Sequence, residues 1–278
     1  MNNFIQNPAQ YVDFEPLGQV CRLGLSTRGN THLDPKDVNE AIRRGVNYLN
    51  WCGHSDGLSR AVRALGERRK QVFVAVQLGA RNSSDAKKEL QNLLGELGTT
   101  TIDCVTYYYV ESPEEWEEII SPGGAAEVLE KAKLEGVVRS IGLTSHQRPL
   151  AAVIAQSGRV DMLMIRYNAA HRGAEKDVFP ITQSLKLPVV TYTGLRWGAL
   201  LKSTRDDPPD FVPPPAVDWY RYVLCHPAVT VGIMAPDGRD ELEEDLSLLD
   251  SWRGFSQERY DELSAHGDRV YRHAGGFP

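Results

Sequence analysis

Short runs rich in β-branched and aromatic residues alternate with longer stretches of helical spacing, and this order constrains the chain more than any other feature. The runs fall at 20–25, 47–51, 71–78, 102–109, 137–143, 161–167, 188–192 and 229–234. Helical patterns fill most of the gaps. One covers 35–44 behind Asp34 as N-cap, and another covers 84–97 with Ala86, Leu90, Leu93, Leu94 and Leu97 on one face. Others cover 123–135, 147–156, 173–185 and 240–249. Such alternation predicts a parallel sheet with right-handed crossovers. Eight repeats in 278 residues predict a closed (β/α)8 TIM barrel, one domain over 1–278, rather than an open sheet. The segment after the first run, GLSTRGN at 24–30, is not the Gly-x-Gly-x-x-Gly of a doubly wound dinucleotide fold. The Pro-rich stretch 206–215 reads as a surface loop, and 256–272 as an additional C-terminal helix.

Composition narrows the partners. The formal net charge of −6 argues against nucleic acid and anionic membranes. The apolar runs are too short to span a bilayer, and residues 1–10 lack the basic-then-apolar order of a signal peptide. Cys21, Cys52, Cys104 and Cys225 lie far apart without a CxxC pair, so buried free thiols and a reducing, cytoplasmic compartment are expected.

In such a barrel the working residues sit where strands end. Here those ends carry Asn50, Trp51 and Cys52, then His54 and Ser55, then Gln77, Tyr107 and Tyr108. Further along come Thr144, Ser145 and His146, then Arg166, Tyr192, Arg196 and Trp197. Several segments together resemble the aldo-keto reductase family over nearly the whole chain. GVNYLNWCGHSD at 45–56 is similar to the family's strand-two segment, and VFVAVQLG at 72–79 to its strand-three segment. LGTTTIDCVTYYYVE at 97–111, LEGVVRSIGLTSHQ at 134–147, RYNAAHRGAE at 166–175 and TYTGLRWGALL at 191–201 follow in the family's order. The resemblance implies an NAD(P)H-dependent oxidoreductase acting on a small carbonyl compound.

It also implies a catalytic tetrad of Asp, Tyr, Lys and His, and here every position differs. Carried over without gaps, these positions hold Asn50, Ser55, Gln77 and Tyr108. A serine hydroxyl is a far poorer proton donor than a phenol tuned by lysine, and Asn50 with Gln77 makes a neutral network instead of an ion pair. The positions that hold the cofactor in the family correspond to Thr144, Ser145 and Met164, with Tyr192 on the nicotinamide and Leu195 and Gly198 in the pyrophosphate loop. At the adenine end Asp237, Glu241 and Asp245 replace basic and amide side chains, which weakens NADP binding; Arg239 and Arg196 offer partial compensation. NADP or NAD therefore stays the cofactor implied by the family, held more weakly by these replacements, and no metal is expected.

Alternatives remain beside these. His54 is either a replacement general acid or a loop histidine. Tyr108 either donates to a ligand or fills the mouth, and alternation along a strand puts at least one of Tyr107 and Tyr108 inward. Arg166 needs an acidic ligand or a carboxylate such as Asp103 or Glu175. Arg196 and Trp197 form either a lid on the ligand or a packed Trp with a snorkelling Arg. His54, His146 and His171 are a weak metal set. Trp51, Tyr107, Arg166 and Trp197 are candidate substrate contacts, and the expected partner is a small molecule. Besides the oxidoreductase, two functions fit the residues: a cofactor-independent acid–base enzyme of isomerase or lyase type, and a non-catalytic small-molecule-binding pseudoenzyme.

Overall fold

A computed structural model describes residues 7–27 and 31–273; the end of the 24–30 segment and the first six residues of the polar N-terminus lie outside them. Two short strands, β1 (Tyr11–Phe14) and β2 (Gly18–Cys21), form an antiparallel hairpin. Eight parallel strands follow: β3 (Leu23–Ser26), β4 (Tyr48–Trp51), β5 (Phe73–Leu78), β6 (Ile102–Tyr107), β7 (Val138–Ser145), β8 (Met162–Arg166), β9 (Val189–Tyr192) and β10 (Val231–Met234). They close in chain order, β10 pairing with β3 through Gly232 opposite Leu23. The expected (β/α)8 barrel is the observed one.

Strand alternation sorts the side chains into two cores. Tyr48, Ala75, Cys104, Met162, Met164, Val190, Val231 and Ile233 pack inside the barrel. Leu25, Leu49, Val74, Val76, Val105 and Leu143 face the helices. Crowding inside forces a glycine on β7: a Cβ on Gly142 would lie 2.3 Å from the Met162 sulfur. Phe14, Leu17 and Val20 of the hairpin join the inner cluster, and the Phe14 ring stacks on Tyr48 at 5.8 Å. The hairpin thus plugs the end of the barrel where the strands begin.

The structure divides the run expected at 20–25. Buried Arg22 separates hairpin from barrel, its guanidinium donating to the carbonyls of Leu224 (2.9 Å) and Val229 (2.7 Å). β-propensity continues through such a bend, so the division leaves no mark in the pattern. The helix expected at 173–185 is two, Ala174–Asp177 and Phe179–Leu185. Helices Gly57–Arg63, Pro113–Ile120 and Ala216–Leu224 have no counterpart among the expected patterns. Stretch 206–215 carries no helix or strand, and a terminal helix spans Gln257–His273. Among the described residues no helix is long and apolar enough to cross a membrane.

Candidate functional site

A cavity of about 1390 Å³ opens at the strands' C-terminal ends. Its neutral end is built from β3, β4 and β5. Asn50 points inward from β4, is 1% exposed, and donates from Nδ2 to Ser26 Oγ at 3.1 Å. Its Oδ1 is buried with no hydrogen-bond partner among the described residues. Gln77, inward on β5, also lines the cavity. His54 and Ser55 line it from the exposed loop after β4. Trp51 lines it too, but its indole packs outward and donates to the His54 carbonyl at 2.7 Å, so it braces that loop. Shifting the register by one residue supplies no phenol either: Asp56 is the N-cap of the helix Gly57–Arg63, accepting from the Ser59 amide at 2.8 Å.

The aromatic wall comes from the end of β6. The strand stops at Tyr107, which is 1% exposed, faces the helices and meets the Trp116 ring edge-on at 5.9 Å. The expected ligand contact through Tyr107 is thereby corrected. Tyr109 turns the chain at φ 44°, and Arg81 donates to the carbonyls of Tyr108 (2.8 Å) and Tyr109 (3.0 Å). Both tyrosines consequently reach the cavity, their ring centroids 4.1 Å apart and their hydroxyls hydrogen-bonded to each other. Tyr109, which the alternation argument missed, stacks on His146 at 4.2 Å and lies edge-on to Tyr192 at 6.3 Å. Burial raises the hydroxyl pKa of Tyr108, Tyr109 and Tyr192 above the usual phenol value. Burial lowers the imidazole pKa of His146, against the opposing pull of Glu111. None of these groups is a phenol poised to give up its proton near neutrality.

Thr144 and Ser145 are buried in β7 outside the cavity lining. Ser145 Oγ already donates to the Val110 carbonyl at 2.7 Å and accepts from the Gln147 amide at 3.0 Å. Arg166 is also outside the lining. Neither suggested carboxylate is its partner: Asp103 holds Arg69 (2.7 Å) and Arg139 (3.0 Å), and Glu175 accepts from the Tyr167 hydroxyl at 2.7 Å. Arg166 instead lies within electrostatic reach of Tyr192, Arg148, Tyr109 and Glu111.

In the loop after β9 the packed-Trp alternative is not what the structure has. Arg196 is 4% exposed and sits against His171 Nε2 at 3.0 Å, whereas Trp197 is 51% exposed on the cavity rim. Burial and the charges of Arg166, Arg196 and Arg148 push the His171 imidazole down to about 4. Thr193, Arg196 and Trp197 all have positive φ, so backbone strain is concentrated at this rim. Leu195 and Gly198 line the cavity, but the loop spends its amides on itself. Arg196, Gly198, Ala199, Leu200 and Leu201 each donate to a carbonyl within it.

The far end is acidic. Asp237, Glu241, Glu244 and Asp245 line it, with Glu89 and Glu96 on the opposite helix, and no Lys or Arg is among the described lining residues. Asp237 accepts from the His32 amide at 3.0 Å, and Glu241 from the Asp237 amide at 2.8 Å. Asp245 is 2% exposed; burial, then the charges of Glu244 and Glu241, raise its carboxyl to about 8. Arg239, expected to compensate here, instead pairs with Asp37 at 3.1 Å and with Glu243, and does not line the cavity. No group of three or more metal-capable side chains occurs among the described residues.

The sequence model of the Aldo/keto reductase family matches residues 30–219. No curated protein matches the chain. Among solved structures, an aldo-keto reductase from Bacillus halodurans in holo form superposes with TM-score 0.75 at 17% identity, over 94% of this chain and 96% of that one. An aldo/keto reductase from Klebsiella pneumoniae in complex with NADP and acetate gives TM-score 0.76 at 18% identity, over 93% and 95%. At these identities the likeness is one of fold.

Proposed function

We propose that the chain, which belongs to the aldo/keto reductase family, uses that barrel as one unit to bind a small uncharged or cationic molecule, and does not reduce carbonyls by the family's proton relay. The carrying observation is the lining of the cavity: six Asp and Glu side chains, five of them besides the buried Asp245 whose carboxyl holds its proton to about 8, the neutral amides Asn50 and Gln77, and no Lys or Arg among the described residues.

The nicotinamide dinucleotide implied by the family does not fit these residues. A dinucleotide brings at least two negative charges and NADP brings more. Each carboxylate–phosphate pair at about 7 Å in a half-wet cleft costs on the order of 1 kcal/mol. Arg239 is committed elsewhere, the Ser145 hydroxyl is committed to backbone, and much of the Leu195–Leu201 loop has its amides turned inward. On the chemical side, reduction needs a proton donor beside the carbonyl. Ser55 is a weak acid, no ammonium lies at position 77, and burial makes the neighbouring phenols weaker acids still. What the site does supply is recognition. The Gln77 carboxamide offers directional hydrogen bonds, with Tyr108 and Tyr109 as a flat wall.

A second reading, the family's own NAD(P)H-dependent oxidoreductase, is favoured by one observation. The cavity runs past Tyr192, Leu195 and Gly198 and is large enough for a dinucleotide. Calorimetric titration with NADPH and NADH at low salt separates the two. Absence of binding at millimolar cofactor is the expected result. Micromolar binding of either would overturn the proposal and make His54 and Tyr108 the first candidates for a proton donor.

A further inference from the structure

We propose that His146, oriented by Glu111, is a general base of this cavity, where it takes a carbon-bound proton from a small uncharged α-hydroxy-carbonyl compound. This rests on the reading above of a site that binds an uncharged molecule without a dinucleotide.

The two residues come from neighbouring strand ends. Glu111 follows the turn at Tyr109, and His146 directly follows β7. Glu111 Oε1 accepts from the His146 amide at 2.9 Å and lies 3.3 Å from His146 Nδ1, while Oε2 accepts from the Gln147 side-chain amide at 3.4 Å. A carboxylate so placed keeps the proton of the neutral ring on Nδ1 and the lone pair on Nε2. Nε2 has no hydrogen-bond partner among the described residues, and it is not sealed in the interior as the Nε2 atoms of His226 and His266 are. His146 lines the cavity and Glu111 does not. Stacking on Tyr109 at 4.2 Å and an edge contact with Tyr192 at 6.0 Å fix the ring. His54, the other histidine of the lining, pairs with no carboxylate among the described residues. The charged and titratable groups around His146 are Glu111 and Tyr109 from the loop after β6, Arg166 at the end of β8 and Tyr192 at the end of β9. Burial and the Arg166 charge outweigh Glu111, so the imidazole sits below its ordinary 6.5 and is unprotonated near neutrality, as a base must be.

The same cavity supplies the other half of the step. The Tyr108 and Tyr109 hydroxyls share one hydrogen bond, which leaves one phenol proton for a ligand oxygen, and the Gln77 amide adds a second donor. Such neutral donors steady an enolate oxygen without protonating it. The α C–H bond breaks and its proton goes to His146 Nε2. Its electron pair forms the C=C bond, and the carbonyl oxygen takes the negative charge. Return of the proton to the same carbon regenerates the substrate with solvent exchange. Return to the neighbouring carbon, as the hydroxyl proton passes to the enolate oxygen, gives an isomer of the same formula. No oxidant or reductant enters. A lining without Lys or Arg among the described residues disfavours phosphorylated or carboxylate substrates, which leaves the uncharged class.

The test is NMR of dihydroxyacetone in D2O with the full chain, following loss of the α protons across pH. Wild type is expected to exchange them about a hundredfold or more faster than buffer, with a rate that rises with pH to a plateau, and His146→Gln to remove about a hundredfold of that acceleration. Glu111 is a positioning residue. Glu111→Gln is expected to slow exchange about tenfold and to move the His146 titration midpoint, read from the ring's own NMR signals, to lower pH, because the carboxylate that raises it is gone. A merely structural Glu111 would leave that midpoint in place. Glu118→Gln, exposed on the helix Pro113–Ile120, is expected to change neither. No exchange above buffer, unchanged exchange in His146→Gln, or an unmoved midpoint in Glu111→Gln would overturn the proposal. Micromolar binding in the NADPH titration would instead overturn the reading on which it rests.

Discussion

Asp245→Asn should stabilise the protein, and by more at high pH than at low pH. The carboxyl is 2% exposed, and its pKa rises from 3.8 to about 8 on folding, with burial the main cause. A raised carboxyl pKa means that the folded state holds the proton more tightly than the unfolded chain. Stability is therefore full below about pH 4 and is lost progressively as pH rises to about 8, after which it levels off. Roughly four pKa units at about 1.4 kcal/mol each set an upper bound near 6 kcal/mol. Relaxation and water entry reduce this, so a gain of about 2–4 kcal/mol between pH 5 and pH 8 is the working expectation. Asparagine removes the ionisation while keeping an oxygen that can accept from Tyr220, the side chain that hydrogen-bonds to Asp245. Urea denaturation of both proteins across about pH 5 to pH 9 reads the difference directly. In melting temperature it corresponds to roughly 2 °C per kcal/mol for a chain of this size. A difference that stays constant with pH would refute the reasoning, because neither burial nor like-charge repulsion would then act on the folded carboxyl.

Other expectations are simpler. Gln77→Lys alone should leave carbonyl reduction undetectable in an NADPH consumption assay, because neither an acidic partner at Asn50 nor a phenol at Ser55 is present; measurable reduction would show that the carried-over register is wrong. Tyr108→Phe should weaken binding of a hydroxyl-bearing ligand severalfold while shifting the melting temperature by less than about 2 °C, since the ring stays stacked on Tyr109; unchanged binding would return Tyr108 to a packing role. Gly57→Ala should cost about 2–4 kcal/mol in denaturation, because the new Cβ would sit 1.8 Å from the Leu33 carbonyl oxygen and backbone must move. A neutral result there would mean that the loop before helix Pro35–Arg43 yields freely.

The barrel was legible because alternation of two periodicities survives in any strand–helix chain. Its departures come from forces that periodicity does not encode. Buried Arg22 divides an apparently continuous strand by stitching three segments together over 200 residues of sequence. Strict alternation assigned opposite faces to Tyr108 and Tyr109. A left-handed turn at Tyr109, held by Arg81, sends both to the cavity. The residues that the family resemblance carries to the tetrad, Asn50, Ser55, Gln77 and Tyr108, do share the cavity. The partner of a surface arginine was not readable: Arg239 looks like a phosphate ligand until the fold brings Asp37 beside it.

The hairpin of β1 and β2 has a kinetic consequence. With Phe14, Leu17 and Val20 filling the lower opening, a molecule that enters the cavity must leave by the way it came. Entry and exit then share one barrier, and the half-exposed Trp197 stands on it. Removing that indole should speed loading and unloading by the same factor wherever the ring only obstructs passage. Affinity would hold still while residence time shortened.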